Sequence, residues 1–334
     1  MAFNSASGYN NLPSGNFTPE IFSQKVLKFF RRASVVEDIT NTDYAGEIEN
    51  FGDTVRIIKE PTITVASYSR GAVVNPQDLA DDQITMVVDQ ANAFAFKIDD
   101  IEERHSHVNF EALATSSGAF SLKRKYDATV LQAMVDGAGI AGSLSTGSTA
   151  PSALTTTDAT NLGTANAPIN VAGSSGDAAV NLMLAMARVL DDQSIPEENR
   201  WFVAPPSFYE TLFSAGAKFA EVQVTGDATS PLRNGLVMQG NIAGFNCYKT
   251  TALNSTGGTD QIVMTDATGT LATNGTQNVV LAGHMSSTST ASHIAKTEVV
   301  RSTETFSDIV RGLHVFGRKV LRPEAMARAV IDYS

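Results

Sequence analysis

This chain carries little that could react. Across 334 residues there is a single cysteine, Cys247, and there are five histidines. One cysteine builds no disulfide framework, which points to a reducing compartment, and a lone thiol beside Phe245 and Tyr248 reads as core packing. Charged residues make up only 18% of the chain, against the usual ~25%, with Ser, Thr, Ala, Asn and Gly in their place. So small a supply of surface charge suggests that much surface is buried in contacts. The net charge of −11 argues against a basic nucleic-acid coat, although an acidic wall could enclose nucleic acid without adhering to it. No run approaches the ~18 apolar residues of a membrane helix. Met1 to Gly15 has no basic residue followed by an apolar core. The expectation is a soluble chain, made inside the cell and without a membrane partner.

Catalytic patterns are missing too. No glycine-rich loop leads into Lys-Ser/Thr, Gly235, Gly240 and Gly244 fit no dinucleotide fingerprint, and there is no Gly-x-Ser-x-Gly elbow. Asp99-Asp100-Ile101-Glu102-Glu103-Arg104-His105-Ser106-His107 gathers imidazoles and carboxylates that could suit zinc or manganese. Its two histidines are one residue apart, share no helix face, and are followed by no third ligand at fixed spacing. A solvated charged segment is the better reading. No catalytic residue, cofactor or metal is expected.

What the chain does have is pattern. From Asp53 to Val65, Val55, Ile57, Ile63 and Val65 share one parity, with Thr54, Arg56, Glu60, Thr62 and Thr64 on the other. A second run sets Ile84, Met86, Val88, Phe94, Phe96 and Ile98 against Thr85, Asp89 and Lys97. Side chains alternate faces along a strand, so each run reads as a strand with one apolar face. Ser69 to Asp82, with Gly71 and Asn75-Pro76, is the turn between them. At about 3.3 Å per residue each arm would reach roughly 45 Å. A two-stranded ribbon of that length is marginal alone. Either other strands of its own domain cover its apolar face, or a neighbouring copy does.

Met1 to Asn16 reads as a loose polar arm. Thr18-Pro19-Glu20 then opens a helix bearing Ile21, Phe22, Val26, Leu27, Phe29 and Phe30 among Lys25, Lys28, Arg31 and Arg32, expected to dock on protein. Asn109 to Asp136 is helical by the spacing of Ala119, Leu122, Tyr126, Val130 and Ala133, with a possible interruption at Ser116-Ser117-Gly118. Ile140 to Gly176 is low-complexity and holds either short strands or a surface excursion. Asp177 caps a helix through Leu190, Arg200 to Ala204 is a buried strand, and Ser207 opens another helix, which together make an α/β unit. Gln261 to Thr265, Val279 to Ala282, Ile294 to Arg301, the stretch from Asp308 to Pro323, and Ala325 to Ile331 are the closing strands. Arg311, Arg318, Lys319, Arg322 and Arg328 concentrate positive charge near the end. They could face phosphate, but pairing with a neighbour's carboxylates is favoured.

The order of these parts resembles the major capsid proteins of tailed double-stranded DNA bacteriophages, of the Hong Kong 97-type fold. The resemblance rests on several pieces in sequence. Phe51-Gly52-Asp53-Thr54-Val55-Arg56-Ile57 opens the ribbon, and Asp99-Asp100-Ile101-Glu102 leads toward the long helix. The Trp201 to Pro206 strand, with its Ser207 helix, and Ile242-Ala243-Gly244-Phe245-Asn246-Cys247-Tyr248 follow. Val310-Arg311-Gly312-Leu313-His314-Val315-Phe316-Gly317 and Lys319-Val320-Leu321-Arg322-Pro323-Glu324-Ala325 come last.

The resemblance implies an α+β fold: an N-terminal arm and helix over 1–50, an extended hairpin loop over 51–98, and a peripheral domain with a spine helix over 99–176. An axial domain would cover 177–290, and further peripheral strands 291–334. It implies assembly with itself as hexamers and pentamers in a virion, around double-stranded DNA held without sequence-specific contacts. A separate scaffolding protein, a portal protein and a possible decoration protein are the other implied partners. Lys59, Glu60, Arg70, Asp78, Asp81 and Asp82 are candidate inter-subunit ion pairs around the ribbon, joined by Arg311, Arg318, Lys319 and Arg322. A cellular nanocompartment shell shares that fold and stays open as an alternative. A surface or adhesion β-protein, suggested by the Thr/Ser/Gly tracts, is the alternative of another class.

Overall fold

The structure is a computed structural model. It describes residues 34–44, 54–59, scattered positions within 63–78, 82–101, 110–138, 140–141, 162, 168–171, 177–212, 242–254, 261–262, 278–303 and 305–333. The expected helix over 18–32 and the histidine-bearing stretch at 102–109 lie outside these residues, as do Glu60 and Asp81.

The described chain opens with a short helix, α1 (Val36–Ile39), which packs beneath the long helix α2 (Phe110–Gly137). Strands β1 (Thr54–Lys59) and β2 (Asp82–Val87) form the antiparallel hairpin expected from their alternation, in a register that sets Val55 opposite Met86 and Lys59 opposite Asp82. The second ribbon arm is not one strand, however. It breaks at Val88-Asp89, and its continuation, β3 (Gln90–Asp99), leaves the hairpin to pair with another strand. Gly317 explains the break. A Cβ there would lie 3.0 Å from the Val87 carbonyl and 3.1 Å from the Val88 side chain, so the chain turns where two backbones approach. Among the described residues the paired ribbon therefore spans six residues per arm, about 20 Å.

β3 joins β9 (Thr288–Arg301) and β10 (Ser307–Val320) in an antiparallel sheet with β10 in the centre. From Gln90 to Ile98 its side chains alternate between half-buried and exposed, as a one-faced strand requires. The buried face receives α2. Helix α2 runs 28 residues, about 42 Å, without the interruption expected at Ser116-Ser117-Gly118. Gly118 serves packing there: the Phe94 ring sits 2.7 Å from where its Cβ would be, and the same ring occupies the place of a Cβ on Gly312 of β10. One aromatic from β3 is thus keyed between a helix glycine and a strand glycine.

The second sheet runs in the order β4 (Ile140–Ala141), β11 (Met326–Asp332), β8 (Asn278–His284), β6 (Arg200–Ala204), β7 (Asn246–Lys249), with β5 (Ile169–Asn170) also on β11. It mixes parallel and antiparallel pairings. Both faces are covered. Phe202, Ala204, Val280 and Ala282 point into a core under α3 (Asp177–Asp192) and α4 (Pro206–Leu212). Trp201, Val203, Val279 and Leu281 point into the core shared with α1 and α2. That double burial is why β6 and β8 read as unbroken apolar runs. The low-complexity segment contributes β4, β5 and the buried Leu162, whose carbonyl accepts from Val330 N–H at 2.9 Å, so the short-strand reading holds there. Besides the passage from β3 through α2 to β4, the chain crosses between the sheets at two short connections, Met285–Ser287 and Leu321–Ala325. Both crossings are tied at one point, because Leu321 and Arg322 N–H both donate to the Ser287 carbonyl, at 2.8 and 3.1 Å.

Candidate assembly surface

The ribbon has a seated base and a bare remainder. Val55, Met86 and Val88 are buried against Ala291 and Val315 of β9 and β10, with Tyr44 and Ile57 packed at the edge. The chain's own sheet covers this base, as the first of the two expectations required. Beyond it Ile58 is 81% exposed, Val65 92% and Val73 86%, with Ile63 and Tyr68 also largely in water. Scattered exposed apolar residues are ordinary, but several concentrated between Ile58 and Val73 mark an interaction surface.

The charged candidates fall into two groups. Lys59 and Asp82 face each other across the hairpin register, and Arg70 and Asp78 lie exposed in the turn region. In the closing strands Arg311 is already engaged. It sits opposite Glu298 in the register of β10 and β9 and forms an ion pair with it within the sheet, while its side chain stays more than half exposed. Its charge is balanced within its own sheet because residues directly opposite on adjacent strands bring side chains together. Arg328 is half-buried and donates to the Val135 carbonyl at 2.9 Å, tying α2 to β11; burial lowers its pKa. Arg318, Lys319 and Arg322 make no ion pair among the described residues, and the Lys319 and Arg322 side chains are exposed.

Several polar anchors were not legible in sequence. Arg200 is 3% exposed, pairs with Asp191 at 2.7 Å, and donates to the Pro196 carbonyl at 2.8 Å and to the Ile195 carbonyl, stapling the α3–β6 connection. At the far end of the antiparallel sheet, Arg301 bridges Asp100 (2.7 Å from Nη1) and Asp308 (3.0 Å), holding the ends of β3, β9 and β10 together. Next to that network Phe306 is 82% exposed. Asp127 of α2 accepts from the Ser34 hydroxyl and the Val35 N–H, fixing where the chain reaches α1; burial raises its carboxyl pKa. Only spatial folding brings these partners together, since Ser34 and Asp127 are 93 residues apart.

Cys247 is half-buried, with its thiol pushed up to about 11 by desolvation, which makes it a poor nucleophile. Among the described residues no cluster of three His, Cys, Asp or Glu side chains could hold a metal, and no helix is long and apolar enough to cross a membrane.

Comparison with known proteins agrees with this geometry. A family profile described as "Phage capsid protein" matches residues 83–329. No curated protein matches by sequence. Among solved structures, one from Mycobacterium phage Che8 is similar at 24% identity and a TM-score of 0.70, covering 95% of this chain and 98% of that one. The capsid of cyanophage P-SCSP1u is similar at 17% identity and a TM-score of 0.67, with both chains covered completely. The mature capsid of bacteriophage PhiM1 is similar at 14% identity and a TM-score of 0.66, covering 94% of this chain and 91% of that one.

Proposed function

From the premise that the chain belongs to the phage capsid protein family, we propose that it assembles as hexamers and pentamers into the icosahedral head of a tailed phage, around double-stranded DNA. It is a structural protein of the virion, the major capsid protein of a phage head, and not an enzyme. The observation that carries the assembly reading is the ribbon: an apolar hairpin whose base is seated on its own sheet and whose exposed remainder has a neighbouring copy as its natural cover. Burial at about 25 cal/mol per Å² drives such a contact, and charges set its register more than its strength.

In this reading residues 1–50 form an arm, 51–98 the extended loop, 99–176 and 291–334 the peripheral domain with α2 as its spine, and 177–290 the axial domain around the hexamer and pentamer centres. Lys59, Glu60, Arg70, Asp78, Asp81 and Asp82 pair between copies around the ribbon, and Arg311, Arg318, Lys319 and Arg322 do so at the closing strands. A separate scaffolding protein, a portal protein and a possible decoration protein are further partners. DNA is held without base readout, in keeping with the net charge of −11.

The test is negative-stain electron microscopy of the purified chain, alone and with a scaffold candidate from the neighbouring genes. Shells of uniform size are expected, and co-purified nucleic acid or protein then identifies the cargo. Monomers alone under both conditions would overturn the assembly reading.

A further inference from the structure

The two short connections between the sheets are held together beside His284, the last residue of β8. Its Nδ1 lies 3.2 Å from the Ser286 N–H and 2.8 Å from the Ser286 hydroxyl, and so caps the Met285–Ser287 turn. A backbone N–H can only donate, so Nδ1 is the nitrogen without a proton and the neutral ring carries its proton on Nε2. The ring also hydrogen-bonds the Glu198 backbone. The Ser287 carbonyl that ends this turn receives both Leu321 and Arg322 N–H, so whatever fixes the first connection fixes the second. A further hold on the turn is a 3.3 Å bond from Met285 N–H to the Asn199 carbonyl, while the Ser287 hydroxyl is buried with no partner among the described residues.

The charges acting on the ring are positive. Arg200 of β6 stands opposite His284 in the strand register, its own charge shared with Asp191 of α3. Arg322 acts from the second connection, which also carries Glu324. On β11 the residue opposite Gly283 is Met326, which has no charge. Burial first, and then the two guanidiniums, hold the His284 pKa below the ordinary histidine value.

We propose that His284 is a pH-sensitive pin at the junction of the two sheets, which caps the first connection when neutral and releases both connections when protonated. A proton on Nδ1 removes the acceptor of the Ser286 N–H, sets two donors against each other, and adds positive charge beside Arg200 and Arg322. The capped form is therefore complete above the folded-state pKa and is lost as pH falls through it. What changes is how firmly the sheets are joined, with each sheet and α2 intact. The inference stands apart from shell assembly, since it concerns one chain.

The test is hydrogen exchange of the full chain, read by mass spectrometry between about pH 7.5 and about pH 5 and corrected for the intrinsic pH dependence of exchange. On the acid side the Ser286, Leu321 and Arg322 amides should lose about five- to tenfold of their protection, the worth of one hydrogen bond, while Val130 to Met134 of α2 keep theirs. His284→Asn retains an acceptor at the cap and does not titrate, so its junction should stay protected throughout. His284→Ala has no acceptor and should exchange fast at both ends of the range. Protection in the unsubstituted chain that does not change with pH, or a loss that His284→Asn shares, would overturn the proposal. A parallel loss in α2 would mean general unfolding and would overturn it too, as would a His284→Ala junction as well protected at the upper pH as the unsubstituted one.

Discussion

Val55 and Ile58 stand on the same hairpin strand but on opposite faces, and one substitution made at each separates folding from assembly. Val55 is 7% exposed in the ribbon base, while Ile58 is 81% exposed. Threonine keeps the β-branch, so strand preference changes little at either site. At Val55 the new hydroxyl is taken out of water within the subunit, which costs about 1–3 kcal/mol of subunit stability. At Ile58 the side chain is already solvated in the isolated subunit, so Ile58→Thr should shift subunit stability by no more than about 0.5 kcal/mol. In the shell Ile58 would be covered. Full burial of such a side chain is worth about 1.5–3 kcal/mol, and the exposed four-fifths still to be buried makes its loss worth about 1–2.5 kcal/mol per contact, roughly five- to sixty-fold in association. The assay pairs urea unfolding of dissociated subunits with the threshold concentration for shell formation by light scattering. Val55→Thr should lower the unfolding midpoint; Ile58→Thr should raise the assembly threshold and leave the midpoint in place. If Ile58→Thr lowered the midpoint as Val55→Thr does, with the threshold unmoved, the ribbon would be covered within its own chain and the reasoning refuted.

Other expectations follow from single contacts. Gly312→Val drives a side chain into the Phe94 ring, and overpacking of this kind costs about 1–3 kcal/mol, visible as a lower thermal midpoint. An unchanged midpoint would mean that Phe94 is not keyed there. Arg200→Met leaves the Pro196 and Ile195 carbonyls without their donor and Asp191 without its partner. A loss of about 2–3 kcal/mol in urea unfolding is expected, kept moderate because Asp191 is partly solvated, and a neutral result would make the staple dispensable. Burial lowers the pKa of His284 and His314 in the folded chain; the neighbouring Arg200 and Arg322 add to the shift at His284, and Glu37 opposes it at His314. Below about 6.5 the unfolded chain therefore holds more protons than the folded one, and these two residues make stability fall as pH drops through that value. Replacing both with Gln should flatten the unfolding midpoint between pH 7.5 and pH 5.5, roughly the range in which histidine titrates, and an unaltered slope would place the titration elsewhere. Arg70→Glu should impair shell formation with subunit folding intact, because Arg70 is exposed in the turn region. Normal particles by electron microscopy would remove it from the inter-subunit set.

Periodicity made much of this molecule legible before any coordinates. The alternation around Val55 and Met86 specified the hairpin, the three-and-four spacing through Tyr126 and Val130 specified the spine helix, and the unbroken Trp201–Ala204 run specified a strand covered on both faces. These are local signals, since each reports only the face that a neighbouring residue shares. The split at Val88-Asp89 was not legible, because alternation continues across it and the cause, the approach of Gly317, lies more than 200 residues away. The glycine at position 118 looked like a helix interruption for the same reason: the Phe94 ring it admits comes from another strand.

The candidate site divides along that line. Sequence by itself determined that the ribbon has one apolar face needing a cover, and that positive charge gathers in the closing strands. Only the tertiary structure decided which part of the ribbon its own sheet satisfies, that Arg311 pairs with Glu298 across β10 and β9 while Arg318, Lys319 and Arg322 make no ion pair with a described residue, and that Asp127 holds Ser34 and Val35 at the start of α1. Patterning is written residue by residue along the chain. Cover, pairing and cavities depend on which distant segments share a surface, and that is settled only when the sheets and the spine helix close around one another.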